Sequence, residues 1–469
     1  MEPSSTPAVG LAPAAILENE KHVYAPDAPL ESKESVNATG LPPSGTTLED
    51  GAGDSPTDEA YPEGGRAAWL VVLGGFWGIF AAFGLLNSAG VFQAYISTHQ
   101  LSHYSQSTVG WIFSVYIFLA LFCSLQIGPI FDAHGPKLLI VLGSVLTVLS
   151  LMLLGLCKEY YQFFLVFGLL AGIATSLLFT PSIAAIGHFF MLRRGAASGV
   201  AMAGGSLGGV IIPLMMPPLF SQVGFAWATR ILGFLYIAVC AACALLVRSR
   251  LPPKHGASIW PDLTILRQPN FAIFTAGMFF IEFALFIPLN YLTLFALTAN
   301  THISSDFAYQ LNAILNAGSC IGRLVPGWIS DHIGRFNTIL MTLSLCFLTN
   351  LAFWLPATML PSTSVAIKPL LIVFSLFFGF ASGSNISLIP ACVGQLCATQ
   401  ELGRYYATCY TVCSFASLVG IPVGGALLKA CGNSYYGMAL FTGLLYVGAV
   451  TGMATVRVRR VGWNVRAFF

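Results

Sequence analysis

In the run from residue 307 to 329, Asn312, Asn316, Ser319 and Arg323 fall at i, i+4, i+7 and i+11. At 3.6 residues per turn this spacing puts all four on one face of a helix. A guanidinium held among apolar neighbours either grips an anion through its planar fork or offsets a fixed acid. Glu282 is the one acid deep inside an apolar run. Thr293 shares its face, Asn290 lies close by, and Pro288 between them is expected to break the helix and free backbone carbonyls. Three roles stay open for Glu282: partner of Arg323, carrier of a coupled proton, or structural residue.

A second set of charges sits at the ends of apolar runs. "GPIFDAHGPK" (128–137) carries Asp132 and Lys137, and "GWISDHIGRF" (327–336) carries Asp331 and Arg335. A carboxylate there can bind the positive end of a helix or a basic side chain. His134 and His332 read as solvated loop residues. All eight histidines fall outside the apolar runs or in the N-terminal tail, which leaves no histidine path for protons. No Walker loop, H-E-x-x-H or spaced metal-ligand set occurs, and no nucleophile stands with a base. The reading is therefore neither enzyme nor metalloprotein, without cofactor and without nucleic-acid partner.

The elements that hold these side chains follow from composition. The chain has 469 residues, 56% apolar and 9% charged, where a soluble protein carries about 25% charged residues. Continuous apolar runs of ~20 residues cross a bilayer as helices. They lack the period-2 alternation of barrel strands. Twelve are expected, at roughly 69–92, 108–130, 138–156, 163–186, 196–220, 230–247, 271–297, 307–329, 338–355, 370–393, 405–428 and 435–456. The first begins after sixty polar residues, so no secretory signal is read. Cys240 and Cys243 form a C-x-x-C inside an apolar run and read as packing residues.

Residues 1–63 hold twelve acids and two lysines; the remaining 406 hold seven acids and nineteen Lys and Arg. The tail, rich in Pro, Ser, Thr and Gly, reads as disordered. With the N-terminus in the cytosol, fourteen basic residues fall on that side. Only Lys158, Arg230, Lys368 and Lys429 fall on the other. That bias places both termini in the cytosol of a multi-pass protein.

The chain repeats itself. Asp132 and Asp331 are 199 residues apart. "FGLLAG" (167–172) returns as "FGFASG" (378–383), Arg194 as Arg404 and Pro181 as Pro390, all 209–211 apart. The extra residues fit the long outer loop in "PATMLPSTSVAIKP". The expected fold is all-α: twelve transmembrane helices in two pseudo-repeated six-helix bundles. The expected domains are an acidic tail (1–63), an N-terminal bundle (64–248), a cytosolic linker (249–268), a C-terminal bundle (269–456) and a basic tail (457–469). Gly168/Gly172, Gly205/Gly209, Gly379/Gly383 and Gly420/Gly424 are spaced for close helix approach.

Two six-helix halves, each with an acidic bend after its second helix, resemble the major facilitator superfamily. The superfamily's loop reads approximately G-x-x-x-D-x-x-G-x-[RK]. Gly128, Asp132, Gly135 and Lys137 fit it, as do Gly327, Asp331, Gly334 and Arg335 with the base one residue early. The resemblance implies alternating access, with Asp132, Lys137, Asp331 and Arg335 gating the cytosolic side.

"PEGGRAAW" before the first span is similar to the [D/E]-G-G-aromatic-G-W signature of the monocarboxylate-porter branch, although Arg66 replaces the aromatic and Trp69 comes one residue late. With "GRLVPGWISDHIGR" it resembles a fungal member. Lactate carriers of that branch place a lysine where Asn87 stands and an acid where Ser319 stands; Arg323 remains. Coupling to protons and a small hydrophilic monocarboxylate are thereby put in doubt. The resemblance points to a secondary transporter in the plasma membrane that exports a small organic, in one reading acidic, metabolite. The alternatives are uptake of a monocarboxylate or vitamin-like acid, and a nutrient sensor that keeps the fold without transport. Asn87, Glu282, Asn290, Asn312, Asn316, Ser319 and Arg323 are the candidate substrate-binding residues. Its expected partners are the substrate, the lipid bilayer and, as an alternative, a coupled proton; oligomeric state stays open.

Overall fold

The computed structural model describes residues 61–251, 259–299, 303, 305–464 and 467–469. The tail up to residue 60 and linker residues 252–258 lie outside the described residues, so the disorder expected of the tail is carried as an expectation. Within hydrocarbon every backbone polar group must be bonded internally, which leaves the helix as the solution for continuous apolar runs. Ten described helices are long and apolar enough to cross a membrane.

They are α1 (Gly65–Thr98), α2 (Thr108–His134), α3 (Lys137–Leu154), α4 (Tyr160–His188), the 53-residue Arg194–Leu246, α7 (Pro269–Thr298), α9 (Arg335–Met359), α10 (Ile367–Val393), α11 (Thr399–Ala430) and α12 (Tyr436–Val461). The 53-residue helix is two spans. Gly224, at φ 77°, folds it sharply, a backbone state that glycine alone adopts freely, so α5 is 194–223 and α6 is 225–246. The twelfth is α8 (Ser305–Ile333), whose asparagines, Arg323 and Asp331 keep it below the hydropathy of the rest. Among the described residues, twelve helices therefore stand where twelve were expected.

Several details differ from expectation. α1 continues past a turn at Ser88 to Thr98, beyond the expected end at 92. α7 runs through Pro288 without a break; a proline removes one helical bond, and packed neighbours can hold the helix across that loss. Asp132 and Asp331 lie on helices, near the ends of α2 and α8, and the bends after them are one or two residues long. His188 is buried at the end of α4, with Nδ1 2.7 Å from Ser249 Oγ. The segment read as a basic tail is ordered where described. Arg457 is buried on α12, its Nη2 donating to Asn464 O at 2.7 Å. Phe469 stacks on Phe336 with ring centroids 4.7 Å apart, and Phe336 N donates to Phe469 O.

Tyr61 and Phe469 lie at the same end of the bundle, here called the terminal face. Two seams join the halves. In one, α5 meets α8 so closely that a Cβ on Gly195 would stand 2.7 Å from Asp331 Oδ1, and one on Gly199 would clash with Arg323 O. In the other, α2 meets α11, where a Cβ on Gly128 would clash with Gly403 O. The paired glycines also face neighbouring helices: a Cβ on Gly172 would lie 3.1 Å from Tyr116 O, and one on Gly383 2.5 Å from Ser319 Oγ.

Candidate functional site

Between the halves lies a cavity of about 40 Å³. From α1 it is lined by Phe83 and Asn87, from α7 by Glu282 and Phe286, from α8 by Asn316, Ser319 and Arg323, and from α11 by Tyr410. The helical stripe on α8 thus faces inward. Asn316, Ser319 and Arg323 are buried. Asn312 lies one turn away, outside the lining. Its carbonyl accepts from Asn316 Nδ2 at 3.0 Å, and its own Oδ1 is buried without a partner among the described residues. Asn290 does not reach the cavity; it is exposed on α7 and its Nδ2 donates to Phe286 O at 2.7 Å.

Arg323 crosses the seam. Its Nη1 donates to Met202 O on α5, its Nε is buried without a hydrogen bond among the described residues, and its Cζ lies 6.0 Å from the Phe83 ring centroid. Beside it, Ser206 Oγ donates to Ser319 Oγ at 3.1 Å, and Asn87 Nδ2 donates to Gly205 O at 3.2 Å. Glu282 is 4% exposed. It faces the same cavity as Arg323, yet among the described residues no ion pair joins the two. An acid and a base therefore stand on separate walls of one small apolar chamber, each with capacity for another partner.

The terminal face is shut by two reciprocal contacts. Asp132 accepts from Gly403 N at 3.1 Å and Arg404 N at 2.8 Å, in the first turn of α11. Asp331 accepts from Gly195 N at 2.9 Å and Ala196 N at 2.8 Å, in the first turn of α5. These N–H groups have no helical acceptor, and the helix dipole favours an anion there. Arg335 is buried and its Nη2 donates to Met191 O. Lys137 is exposed at the start of α3.

Sequence reasoning missed the strap that precedes α1. The Glu63 carboxylate accepts from Met191 N, Leu192 N and Arg193 N at 2.6, 2.7 and 3.0 Å, just ahead of α5. Tyr61 reaches the other half, its hydroxyl donating to Thr399 Oγ1 at 2.6 Å at the start of α11. The sequence places Glu63 at the end of the acidic tail (1–63) and in the "PEGGRAAW" signature, and nothing in its spacing indicates the loop it caps; the described chain begins before that expected bound. Phe83 and Tyr410 were also missed, because aromatic residues are common in every span.

The chain matches the Major Facilitator Superfamily over residues 69–367. The chain belongs to that family. It is 38% identical over 404 residues to the aspyridones efflux protein of Emericella nidulans, covering 84% of this chain and 80% of that one. It is 37% identical over 418 residues to the riboflavin transporter of Saccharomyces cerevisiae, covering 84% and 78%. Among solved structures, the human organic anion transporter MFSD10 superposes with a TM-score of 0.64 at 16% identity, over 83% of this chain and 99% of that one. That likeness concerns the fold. The two halves, the central cavity and the closed terminal face are thus those of a membrane transporter fold.

Proposed function

We propose that the chain is a secondary transporter that exports a small organic metabolite with an acidic group across the plasma membrane, by alternating access, with both termini in the cytosol. The observation that carries the reading is the cavity itself: it lies where the halves meet, and the contacts at its terminal face are of a kind that a rocking motion breaks. A cavity of about 40 Å³ is far below the ~300 Å³ or more that holds an organic ligand. The halves must part to admit one. On this reading Arg323 takes the acidic group through its fork, Asn87, Asn316 and Ser319 offer hydrogen bonds, and Phe83, Phe286 and Tyr410 receive the apolar body. Asn290 and Asn312 then act from outside the lining. Asp132, Asp331 and Arg335 form the cytosolic gate, and Lys137 anchors the bend at the interface. The bundles 64–248 and 269–456 move as units about the 249–268 linker.

Export is supported by the relative named for efflux of aspyridones. Uptake of a vitamin-like acid is the second reading, supported by the relative named for riboflavin. Membership of the monocarboxylate-porter branch is supported by "PEGGRAAW", in which Glu63 now has a structural task. The test is flux in proteoliposomes containing the full chain, with aspyridone and riboflavin as probes in both directions. Saturable outward movement of the first supports export, and inward movement of the second supports uptake. Saturable binding with no movement of either would turn the reading to a sensor.

A further inference from the structure

The carboxylates of the terminal face each have a structural task. Asp132 and Asp331 accept two backbone N–H groups apiece, and Glu63 accepts three. Glu282 has no such task. It is 4% exposed on α7 and lines the central cavity. Among the described residues it forms neither a hydrogen bond nor an ion pair. Burying an acid without a partner is costly, and within a span such a residue marks a pathway or a ligand site.

Arg323 is drawn elsewhere. Its Nη1 donates to Met202 O on α5, a Cβ on Gly205 of the same helix would lie 2.9 Å from that Nη1, and its Cζ is 6.0 Å from the Phe83 ring centroid on α1. The guanidinium thus leans on the N-terminal half. Glu282 belongs to the C-terminal half, on a wall that α7 continues with Leu285, Phe286 and Leu289. Other polar groups of the lining point donors at backbone: Asn87 to Gly205 O, Asn316 to Asn312 O and Ser382 to Gly379 O. The chamber also has an aromatic wall. Phe83 and Tyr410 both line it and are joined through Phe179 of α4, which packs edge-on to each with ring centroids 5.0 and 5.2 Å apart. The site therefore offers one cationic fork, one uncommitted acceptor on a different helix, and apolar walls suited to a flat body.

We propose that the site takes a ditopic molecule, in which a flat apolar body carries an acidic group for Arg323 and an N–H donor for Glu282, and that Glu282 is the residue that sets this specificity. The acidic end rests on the function proposed above; the donor end rests on Glu282 alone. A plain monocarboxylate would leave the buried acceptor unpaired and bring a second acid into an apolar chamber. An N–H donor gives Glu282 its missing partner. A site built to bond an N–H rejects the analogue that lacks it, because its own buried group is then left without one.

Calorimetric titration of the purified full chain with three ring compounds at neutral pH tests the proposal. Para-aminobenzoate carries acid and donor at opposite ends of one ring. Para-toluate replaces the amine by a methyl of similar size, and para-toluidine keeps the amine but lacks the acid. Para-aminobenzoate should bind about tenfold or more tighter than para-toluate. Equal affinity overturns the proposal. In Glu282→Met and Glu282→Gln the preference should shrink several-fold, more in the first, while para-toluate still binds as the sign of a folded site. A preference unchanged in every variant that binds para-toluate removes Glu282 from the site and overturns the assignment. Para-toluidine should bind weakly. If it binds as tightly as para-aminobenzoate, and loses that affinity in Glu282→Met, the acidic end at Arg323 fails while the donor end stands. Absence of binding for all three overturns both.

Discussion

Replacing Asp132 and Asp331 by asparagine should open the terminal face, and the size of the effect follows from four hydrogen bonds. Each carboxylate accepts two backbone N–H groups, at 3.1 and 2.8 Å for Asp132 and at 2.9 and 2.8 Å for Asp331. A hydrogen bond to a charged group contributes ~1.5–3 kcal/mol, and an anion at a helix N-terminus adds ~0.3–1 kcal/mol. Asparagine keeps one acceptor oxygen, loses the charge and turns an NH₂ toward a backbone N–H. Both acids are half-buried, so the lower end applies: ~2 kcal/mol per site, about a 30-fold shift in the closed-to-open ratio. The double variant should shift it on the order of 10³-fold if the sites are independent. The assay is pulsed electron resonance between spin labels at His134 and His332, which are exposed on opposite halves. The native chain should give one short distance. Each single variant should add a longer population, and the double variant should be mostly long. Transport by Asp132→Asn should slow while expression stays near normal. A double variant with the native distance distribution would refute the gating argument outright.

Other expectations follow from the same geometry. Arg323→Lys should impair recognition of an acidic substrate in a flux assay, because an ammonium cannot reproduce the fork; unchanged flux would remove Arg323 from the site. With no ion pair between Glu282 and Arg323, the double variant of Glu282→Gln and Arg323→Gln should be no more stable in thermal unfolding than the less stable single variant; strong rescue in the double variant would reveal a pair formed in another state. Gly199→Leu should drive α5 off α8 and block assembly or transport, whereas the same change at Gly90, which has open space, should be tolerated; equal behaviour of the two would contradict the seam. Deleting residues 1–58 should leave a folded, inserted protein. Glu63→Ala should cost ~1–2 kcal/mol, since three backbone donors lose their cap; a melting point equal to wild type would deny the strap a role.

The helices, the repeat and the inward stripe of α8 were legible because each is carried by spacing within one stretch of chain. Asn316, Ser319 and Arg323 declared themselves in this way, polar residues at helical period in an apolar run. What escaped depends on which helix meets which. Nothing local to Tyr410 or Phe83 marks them as cavity residues, and Asn290, also polar in an apolar run, faces away. The break at Gly224 falls in the gap expected between the fifth and sixth spans, at 221–229, so that turn was legible. Pro288 misled, since the cost of a proline in a helix is set by the neighbours that surround it.

The crossed pairing of the two acids has a consequence for assembly. Asp132 of the first bundle binds the second, Asp331 of the second binds the first, and the seams they close are equivalent under the repeat. A surface on which residue i meets j while j meets i is isologous, the pattern of a two-fold symmetric dimer. The closed interface of this chain therefore has the self-complementarity of a two-fold dimer within one polypeptide. Two separately made bundles should find one another without the linker. A mutation that weakens one seam leaves its counterpart intact, so drift in either half is buffered by the other.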